Sequence, residues 1–325
     1  MYSFGSISTE RITKHRHPMQ PARFSLHTHT IGFDATNTIE EMAVTARRIG
    51  FSALGISNHF IVYPGIEKTA LYRAAAHPKD PRDTPWHGMY SKNFDEAIIK
   101  FQRDYEEIDR VRTKLSFPIY KGMEADFFQY RGWAKGFEKA LKILKPDYVI
   151  GSTHFAIYRD KLLNMHDIAT LNTVEQDSIV HHYWCNLRRA VKSGYFTFMA
   201  HPDLFKRGGL GTENCFADDE EKMMSCLAET KMPAEINSGS LRRKNAMGKS
   251  YGERDLTRLI QQFVKFHIPT MISDDAHSVG QLGAAYDIAA ACAKRVGVVH
   301  YCRPITKNKK FILEKYLIKN QQQRG

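Results

Sequence analysis

The stretch from Phe24 to Asp34, FSLHTHTIGFD, places His27 and His29 at the end of a short apolar run, with Asp34 five residues after the second histidine. In an extended strand, residues i and i+2 point to the same face, so the two imidazoles would face one point in space. This is a common arrangement for holding a metal ion. Because a single His-x-His is a weak signal, its interpretation depends on the rest of the chain.

The composition bounds the class of protein. The chain has 325 residues, of which 42% are hydrophobic and 25% charged, as in a soluble globular protein. It contains no apolar run near the roughly 18 to 20 residues that span a bilayer, and its N-terminus lacks the apolar core of a secretory signal. The five cysteines are scattered without a C-x-x-C pair, which argues against a disulfide framework and a thiolate zinc site. We therefore expect a soluble, cytoplasmic protein whose metal ligands are histidine and carboxylate.

The formal net charge of +12 invites comparison with nucleic-acid-binding proteins. The excess is spread out, with local concentrations at residues 11–17, 242–244 and 303–324. The sequence has no basic stripe interleaved with aromatic residues of the kind that single-strand binders use. A solvated basic surface with a frayed, lysine-rich tail is the simpler interpretation, and such a surface would attract a phosphorylated substrate.

Short apolar runs alternate with helical patterns along the chain. The runs lie near residues 24, 53, 119, 148, 196, 234 and 269. Helices are predicted at 39–50, 93–114, 133–144, 174–193, 218–229, 256–266 and 279–294, where apolar residues recur at helical spacing. This alternation is typical of a parallel sheet with helices packed outside it.

Residues 61–92 interrupt the alternation and are rich in proline, histidine and aromatic residues. We interpret them as a long loop with about one turn of helix. Loops of this length inside a compact domain often contact substrate, and His77, Trp86 and His87 are candidates for such contacts.

Six of the seven predicted strands end at or just before a residue of metal-ligand type. These residues are His27, His29, Asp34, His59, Glu124, His154, His201, Asp275 and His277. In a closed parallel barrel the carboxyl ends of the strands open on one face, where active sites lie. The regular placement of these residues at strand ends therefore favours a single cluster of metal ligands. The remaining strand, PAEIN at 233–237, ends at Asn237 and contributes no ligand in this interpretation.

The same blocks resemble the polymerase and histidinol phosphatase (PHP) superfamily. They are HTHT with Asp34, SNHF at His59, GMEADF at Glu124, IGSTHF at His154, AHPDLFKR at His201, EINSGSLRR, and SDDAHS at His277. The similarity runs from about residue 24 to 285 and is greatest to PHP-type histidinol-phosphate phosphatases. It implies an α/β fold, a distorted (β/α)7 TIM-like barrel. We expect an N-terminal extension at 1–22, a barrel at 23–296 with an insertion at about 61–92, and a basic C-terminal tail at 297–325.

The resemblance also implies a centre of three divalent metal ions. His27, His29, Glu124 and Asp275 would hold the first ion, Glu124, His154 and His201 the second, and Asp34, His59 and His277 the third. This imidazole-rich set suits zinc, manganese or iron better than magnesium. The positive pocket would favour a phosphate dianion, and metal-activated hydroxide would attack it. Catalytic roles are expected for Glu124, Asp275, His277 and Arg207.

Further residues receive more specific roles. Arg207, Arg242 and Arg243 are candidates for binding phosphate oxygens, because guanidinium binds them bidentately. The candidates for binding the substrate amine are Glu67, Asp126 and Asp160, and Asp126 could instead orient a metal ligand. The histidines interpreted as structural are His166, His181, His182, His267 and His300.

Two positions depart from the family pattern. Asn58 stands where the family usually has aspartate, and Asp274 precedes Asp275 in the block that contains His277. Neither departure removes a ligand. Both are expected to change how the ligands are oriented, because the residues behind metal ligands fix their rings and tautomers.

The sequence thus predicts a metal-dependent phosphomonoesterase that hydrolyses L-histidinol phosphate to L-histidinol and phosphate, a step of histidine biosynthesis. No membrane partner is expected. The alternatives left open are a PHP-type phosphoesterase that acts on nucleotides or nucleic acid, an enzyme for another small phosphomonoester, and a barrel used only as a binding scaffold.

Overall fold

The computed structural model describes residues 23–79, 85–159, 161–166, 168, 171–207, 216–242, 251–308 and 310–317, without the side chains of residues 207, 316 and 317. Within them the strands are β1 (Leu54–Ile56), β2 (His59–Val62), β3 (Tyr90–Ser91), β4 (Ile119–Lys121), β5 (Glu124–Asp126), β6 (Ile150–Ser152), β7 (Phe155–Tyr158), β8 (Lys161–Asn164), β9 (Phe198–Met199), β10 (Ala234–Asn237), β11 (Thr270–Ser273), β12 (His300–Lys307) and β13 (Lys310–Leu317). The helices are α1 (Ile39–Arg48), α2 (Ala70–Ala76), α3 (Phe94–Leu115), α4 (Trp133–Leu144), α5 (Thr173–Ser193), α6 (Leu204–Arg207), α7 (Ala217–Thr230), α8 (Glu253–Lys265) and α9 (Tyr286–Val296).

The largest sheet is mixed and has the strand order β13-β12-β11-β10-β9-β6-β5-β2-β3. All of its pairs are parallel except β12 with β13. Strands β1 and β4 pair in parallel as a separate sheet. Together with the helices between the strands, this confirms the predicted α/β class, whereas the closed barrel stays a prediction.

The strand predicted near residue 24 consists of two isolated parallel bridges, Ser25 with Leu54 and Thr28 with Ala276. Side chains take over part of the hydrogen bonding there, because Thr28 Oγ1 donates to the Gly55 carbonyl at 2.6 Å. Residues 25–28 therefore lie between β1 and Ala276, which follows β11.

Each of the seven predicted helices is present, as α1, α3, α4, α5, α7, α8 and α9. The first begins after Thr38, whose hydroxyl accepts a hydrogen bond from the Glu41 amide while the Glu41 carboxylate accepts one from the Thr38 amide. The last helix begins at Tyr286 rather than at 279. The reason is Gly283, whose φ of +74° places it in a turn instead of a helix.

Residues 61–92 contain more regular structure than one turn of helix. Strand β2 continues to Val62, 3-10 turns occupy 66–68 and 87–89, and α2 has seven residues. The Tyr90 ring in β3 lies 5.9 Å from the Phe155 ring in β7. The insertion therefore packs on the antiparallel hairpin of β7 and β8, which the sequence analysis did not predict.

The expectation of a frayed C-terminal tail is wrong for residues 300–317. These residues form a hairpin, with pairs from His300 and Leu317 to Lys307 and Lys310. The Phe311 ring lies 5.0 Å from that of Tyr120 and 5.4 Å from that of Tyr148. Phe311 and Leu313 pack against the core, whereas Lys310 and Ile312 between them in the alternation are exposed, so β13 packs one face on the core.

Tyr148 fills the space beneath residues 25–28. It is buried, and its hydroxyl donates to the Leu26 carbonyl at 2.5 Å. A Cβ atom on Gly55 would lie 2.1 Å from the Tyr148 hydroxyl, and one on Gly122 would lie 2.2 Å from Cζ of the same ring. The two glycines thus make room for the ring that fixes the backbone next to His27.

None of the described helices combines the length and the apolar character needed to cross a membrane.

Candidate metal centre

The nine side chains predicted to bind metal lie together in one buried cluster. Four overlapping groups of histidine, aspartate and glutamate each offer ligand atoms within 4.8 Å of one another. The groups are His29, Asp34, His59 and His277; His27, His29 and Asp275; His27, Glu124 and His201; and His59, Glu124 and His154. Because the groups share members, the cluster is continuous. Metal ligation by these residues stays a prediction.

The parallel register of the sheet brings these residues to one place. His59 is the first residue of β2 and lies opposite Glu124, the first residue of β5. His154, His201 and Asp275 each lie two residues beyond the last residue of β6, β9 and β11. His59 and Glu124 also lie three residues beyond the last residues of β1 and β4, so the cluster sits where the carboxyl ends of these parallel strands converge.

Glu124 is at the centre of the cluster. Its Oε2 atom lies 3.2 Å from His27 Nε2 and 2.9 Å from His59 Nδ1. Its Oε1 atom lies 3.1 Å from His201 Nε2 and 3.4 Å from His154 Nε2. Burial raises the pKa of Glu124, but the four imidazoles together lower this pKa well below its usual range. The carboxyl group is therefore ionised, with imidazole nitrogens around both oxygens.

Asp34 organises a second part of the cluster. Its Oδ2 atom lies 3.0 Å from His277 Nε2 and 3.2 Å from His59 Nε2. His29 is stacked between the same two histidines, with ring centroids 4.4 Å from His59 and 4.3 Å from His277. Burial, together with the charges of His277 and His59, lowers the pKa of His29 to about 3. His29 is thus neutral, which is the form of imidazole that binds metal.

Two carboxylates behind the cluster fix the tautomers of its histidines. The Glu235 carboxylate lies 2.8 Å from His27 Nδ1, and the Asp126 carboxylate lies 2.8 Å from His154 Nδ1. Each carboxylate accepts the Nδ1 proton, so Nε2 is the nitrogen of each ring that faces Glu124 and would bind a metal ion. This confirms the orienting role considered for Asp126 and leaves its carboxylate engaged with His154 rather than available to a substrate amine.

Glu235 was missed by the sequence analysis, which found no ligand-type residue at the end of its strand. Its Oε2 atom also accepts hydrogen bonds from the His201 amide at 3.2 Å and from Asn237 Nδ2 at 3.0 Å. Its side chain is completely buried. A carboxylate in the middle of an otherwise apolar, buried strand was the available signal, because such a charge needs partners.

The side-chain amide of Asn58 connects the segment around Thr30 to helix α3. Its Oδ1 atom accepts from the Thr30 amide at 2.8 Å, and its Nδ2 atom donates to Thr30 Oγ1 at 2.8 Å and to Asp104 Oδ2 at 2.9 Å. Burial raises the pKa of Asp104 to about 7. An aspartate at position 58 would face this second carboxyl group, whereas an asparagine donates a hydrogen bond to it. The departure from the family pattern therefore has a local physical reason in α3.

Asp274 and Asp275 play different parts. The Asp274 carboxylate accepts from Ser238 Oγ at 2.8 Å and from the Gly283 amide at 3.0 Å, which fixes the chain after β11. Asp275 has a φ of +49°, a left-handed conformation that is uncommon for a residue with a side chain. Its Oδ1 atom lies 3.4 Å from His29 Nε2. The strained backbone thus belongs to the residue that points into the cluster.

The buried polar atoms of the cluster fit a metal centre. Among the described residues, several buried nitrogen and oxygen atoms of the cluster make no hydrogen bond. They are His27 Nε2, His29 Nδ1 and Nε2, Asp34 Oδ1, His59 Nδ1 and Glu124 Oε2. A buried polar atom without a partner costs about 1–3 kcal/mol, so a concentration of such atoms indicates a ligand. Imidazole nitrogens and carboxylate oxygens are the donors that zinc, manganese and iron use.

The candidate phosphate-binding arginines are only partly described. Arg242 ends a 3-10 turn at 238–242, and its Nη2 atom donates to the Asp274 carbonyl at 2.7 Å. Arg207 is the last residue of α6, and its side chain lies outside the described part of the chain, as does all of Arg243. The roles of all three arginines stay predictions. Among the candidates for amine binding, Asp160 also lies outside the described residues, and the role of Glu67 stays a prediction.

Comparisons with known proteins agree with this geometry. A model of the PHP domain family matches residues 25–239. The "Probable histidinol-phosphatase" of Deinococcus radiodurans is 27% identical over 276 residues, which cover 84% of this chain and 92% of the relative.

Two solved structures share the fold. Histidinol phosphate phosphatase from Lactococcus lactis, complexed with zinc, L-histidinol and phosphate, has a TM-score of 0.63 at 14% identity, and the match covers 90% of this chain and 99% of that one. A structure from Listeria monocytogenes has a TM-score of 0.61 at 16% identity and covers 82% of this chain and 99% of its own. At these identities the likeness concerns the fold alone.

Proposed function

The chain belongs to the PHP domain family, and on that premise we propose that it is a metal-dependent phosphomonoesterase that hydrolyses L-histidinol phosphate to L-histidinol and phosphate. The observation that carries the proposal is the buried cluster around Glu124, in which imidazole nitrogens and carboxylate oxygens lie within ligand distance of one another. The choice of substrate is supported by the name of the relative from Deinococcus radiodurans and by the L-histidinol and phosphate bound in the structure from Lactococcus lactis.

The proposal includes three divalent ions, zinc, manganese or iron. His27, His29, Glu124 and Asp275 would hold the first ion; Glu124, His154 and His201 the second; and Asp34, His59 and His277 the third. Ions bound there would lower the pKa of a bound water and stabilise negative charge on the phosphate oxygens. The position of Glu124 between four imidazoles supports its assignment to two of the ions.

The chain itself contributes orientation and burial to the reaction. Glu235 and Asp126 keep protons on Nδ1 of His27 and His154, so that the Nε2 atoms stay directed at Glu124. The side chains of His27, His29 and Glu124 are completely buried, which excludes bulk water and strengthens the electrostatic interactions within the site. Arg242 donates to the carbonyl of Asp274, the residue before Asp275, and we assign to it the binding of a phosphate oxygen at the edge of the site.

The proposed architecture is a distorted seven-stranded barrel at residues 23–296. Two pairings at the N-terminal segment support closure of the sheet, Ser25 with Leu54 and Thr28 with Ala276. The insertion at 61–92 lies against β7, because Tyr90 contacts Phe155, and the Phe155 ring lies 6.3 Å from that of His154. We assign to this insertion the recognition of the imidazole and amine of the substrate.

The test is phosphate release by the purified protein, loaded with manganese or zinc, from a panel of substrates. The panel contains L-histidinol phosphate, an aryl phosphate, nucleotides and a short single-stranded oligonucleotide. Preference for L-histidinol phosphate is expected. Preference for nucleotides or the oligonucleotide would be consistent with the metal centre but would rule out L-histidinol phosphate as the substrate. The net charge of +12 would then serve to bind a polyanion.

A variant of Glu124 tests the metal centre independently of the choice of substrate. Glu124→Gln removes the charge at the middle of the cluster, and we expect it to lose bound metal and to lower turnover by roughly a thousandfold or more. The matched control is Glu221→Gln, since the Glu221 side chain is 64% exposed on α7. Unchanged turnover and metal content in Glu124→Gln would show that the proposed mechanism is wrong.

A further inference from the structure

A second cluster of reactive side chains lies between α5 and α7 and shares no residue with the metal centre. Cys185 Sγ is 3.6 Å from His181 Nε2, and His181 Nδ1 is 2.8 Å from Asp219 Oδ2. Arg188 Nη2 lies 3.1 Å from the same sulfur, while Arg188 Nη1 lies 3.2 Å from Asp219 Oδ1. His181, Cys185 and Arg188 are three or four residues apart on α5, so the helix places them on one face.

The arrangement has the three parts of an activated nucleophile. The Asp219 carboxylate accepts the Nδ1 proton of His181 and so leaves Nε2 as a base that faces the cysteine sulfur. Arg188 Nη2 donates toward the sulfur, so a cation faces the negative charge that develops there when the thiol reacts. The Asp219 side chain is mostly buried and paired with Arg188, which holds the histidine ring from behind.

Access distinguishes this thiol from the other described cysteines. Cys226, Cys292 and Cys302 are 3%, 0% and 1% exposed, whereas Cys185 is half-buried. The His181 side chain is 58% exposed, so solvent reaches the imidazole beside the sulfur. Cys292 also has an arginine nitrogen near its sulfur, Arg295 Nη2 at 3.2 Å, but within the described part of the chain its other hydrogen-bonding partner is Glu253 rather than a histidine. Of the described cysteines, Cys185 thus combines a neighbouring histidine base, a neighbouring arginine and access to solvent.

We propose that Cys185 is a site of oxidation by hydroperoxides, with His181 as its base. The thiolate sulfur attacks one oxygen of the peroxide, so that a sulfur–oxygen bond forms and the oxygen–oxygen bond breaks. The sulfur loses two electrons and becomes a sulfenic acid, and the peroxide is reduced. The imidazolium of His181 gives its proton to the departing hydroxide or alkoxide, which leaves as water or alcohol. A small oxidant suits a sulfur that is only partly exposed between side chains.

The first experiment locates the oxidised residue. The full-length protein, loaded with zinc so that the metal does not react with peroxide, is treated with substoichiometric hydrogen peroxide in the presence of dimedone, which traps sulfenic acids. Peptide mass spectrometry is expected to find the label first at Cys185, at a rate roughly tenfold above that of any other cysteine in the chain. If another cysteine is labelled first, or if all react at similar rates, the proposal is wrong.

The second experiment tests the histidine with a neighbour as control. His181→Gln is expected to lower the labelling rate of Cys185 at neutral pH by roughly tenfold, because the base is lost. His182→Gln changes the adjacent residue, which is also exposed on α5, and is expected to leave the rate unchanged. Equal rates in the two variants would overturn the role of His181. Because both residues are exposed, we expect both variants to fold. Thermal unfolding of each variant checks this.

Discussion

Glu235 acts through His27 rather than on a substrate, and its three hydrogen-bonding partners define what can replace it. The His27 ring, the His201 amide and Asn237 Nδ2 all donate to this carboxylate. A glutamine would place an amide group, itself a donor, against at least one of these donors. We expect Glu235→Gln to weaken metal binding by roughly 10- to 100-fold, as is usual for residues that orient metal ligands.

Competition with a chromogenic chelator measures this affinity, and the Glu221→Gln variant serves as an exposed control. Metal affinity in Glu235→Gln equal to that of the control would mean that His27 keeps its orientation without the carboxylate.

Asp104 makes the stability of the protein depend on pH in a defined direction. Burial raises its pKa to about 7 in the folded protein, whereas an unfolded aspartate has a pKa of about 3.9. The folded state therefore holds this proton more tightly, so the contribution of Asp104 to stability is greatest below about pH 4 and is lost as the pH rises through about 7. Asp104→Asn keeps an oxygen for Asn58 Nδ2 and removes the charge.

We expect the free energy of unfolding of Asp104→Asn, relative to the unmodified protein, to increase by roughly 3 kcal/mol from about pH 4 to about pH 8. Urea unfolding of both proteins at several pH values measures the difference. A difference that does not change with pH would show that the carboxyl group titrates normally.

At the scale of the element, the turn between β4 and β5 depends on a glycine. A Cβ atom at position 122 would lie 2.2 Å from Tyr148 Cζ, and the ring has no space to move because it is buried. We expect Gly122→Ala to lower the free energy of unfolding by roughly 1–3 kcal/mol through overpacking. Gly280→Ala is the control, since the nearest atom to a Cβ there is 3.9 Å away.

Chemical denaturation of the two variants measures this effect. Because Tyr148 holds the Leu26 carbonyl beside His27, Gly122→Ala is also expected to weaken metal binding. Stability equal to that of Gly280→Ala would mean that the ring can shift at little cost.

The helices and hairpins also show which sequence patterns were sufficient to predict an element and which were not. The helix α3 was predicted from Phe94, Phe101, Tyr105, Ile108 and Val111, and its bounds agree because one apolar face of 22 residues is a strong periodic signal. The hairpin of β12 and β13 was missed because the basic residues at 303–324 suggested a frayed tail, although Phe311 packs on Tyr120. The hairpin of β7 and β8 was missed because its strands have four residues each, too few for a clear period.

The ligand-type residues of the centre were predictable because each follows a short apolar run, and parallel strands bring such positions together. Glu235 was not, since it lies inside a strand instead of after one, and only its partners His27 and His201 reveal its role. Nor could the sequence show that Asn58 is matched to Asp104, because the two residues are 46 positions apart and meet only when α3 packs beside β2.

At the scale of the whole molecule, the buried cluster links folding to metal. Six ligand-type atoms on five residues are buried without a hydrogen bond among the described residues, which is costly to the folded state. We expect removal of metal by a chelator to lower the midpoint of thermal unfolding by several degrees, and addition of zinc or manganese to restore it, because a ligand that binds only the folded state stabilises it.

Differential scanning calorimetry of the protein with and without chelator measures the shift. The Glu124→Gln variant should show a much smaller shift, since it binds metal poorly. A chelator that leaves the midpoint unchanged in the unmodified protein would contradict the link between metal and folding.

The hydrogen bond from the Asp274 amide to Ser25 Oγ joins residues 249 positions apart in the chain. During synthesis on the ribosome, the N-terminal histidines emerge first and must wait for most of the chain before their last partners leave the exit tunnel. The contact can therefore form only after residue 274 has left the exit tunnel. A protein truncated before residue 274 lacks this closing contact, together with Asp275 and His277, so it cannot assemble the complete cluster around Glu124.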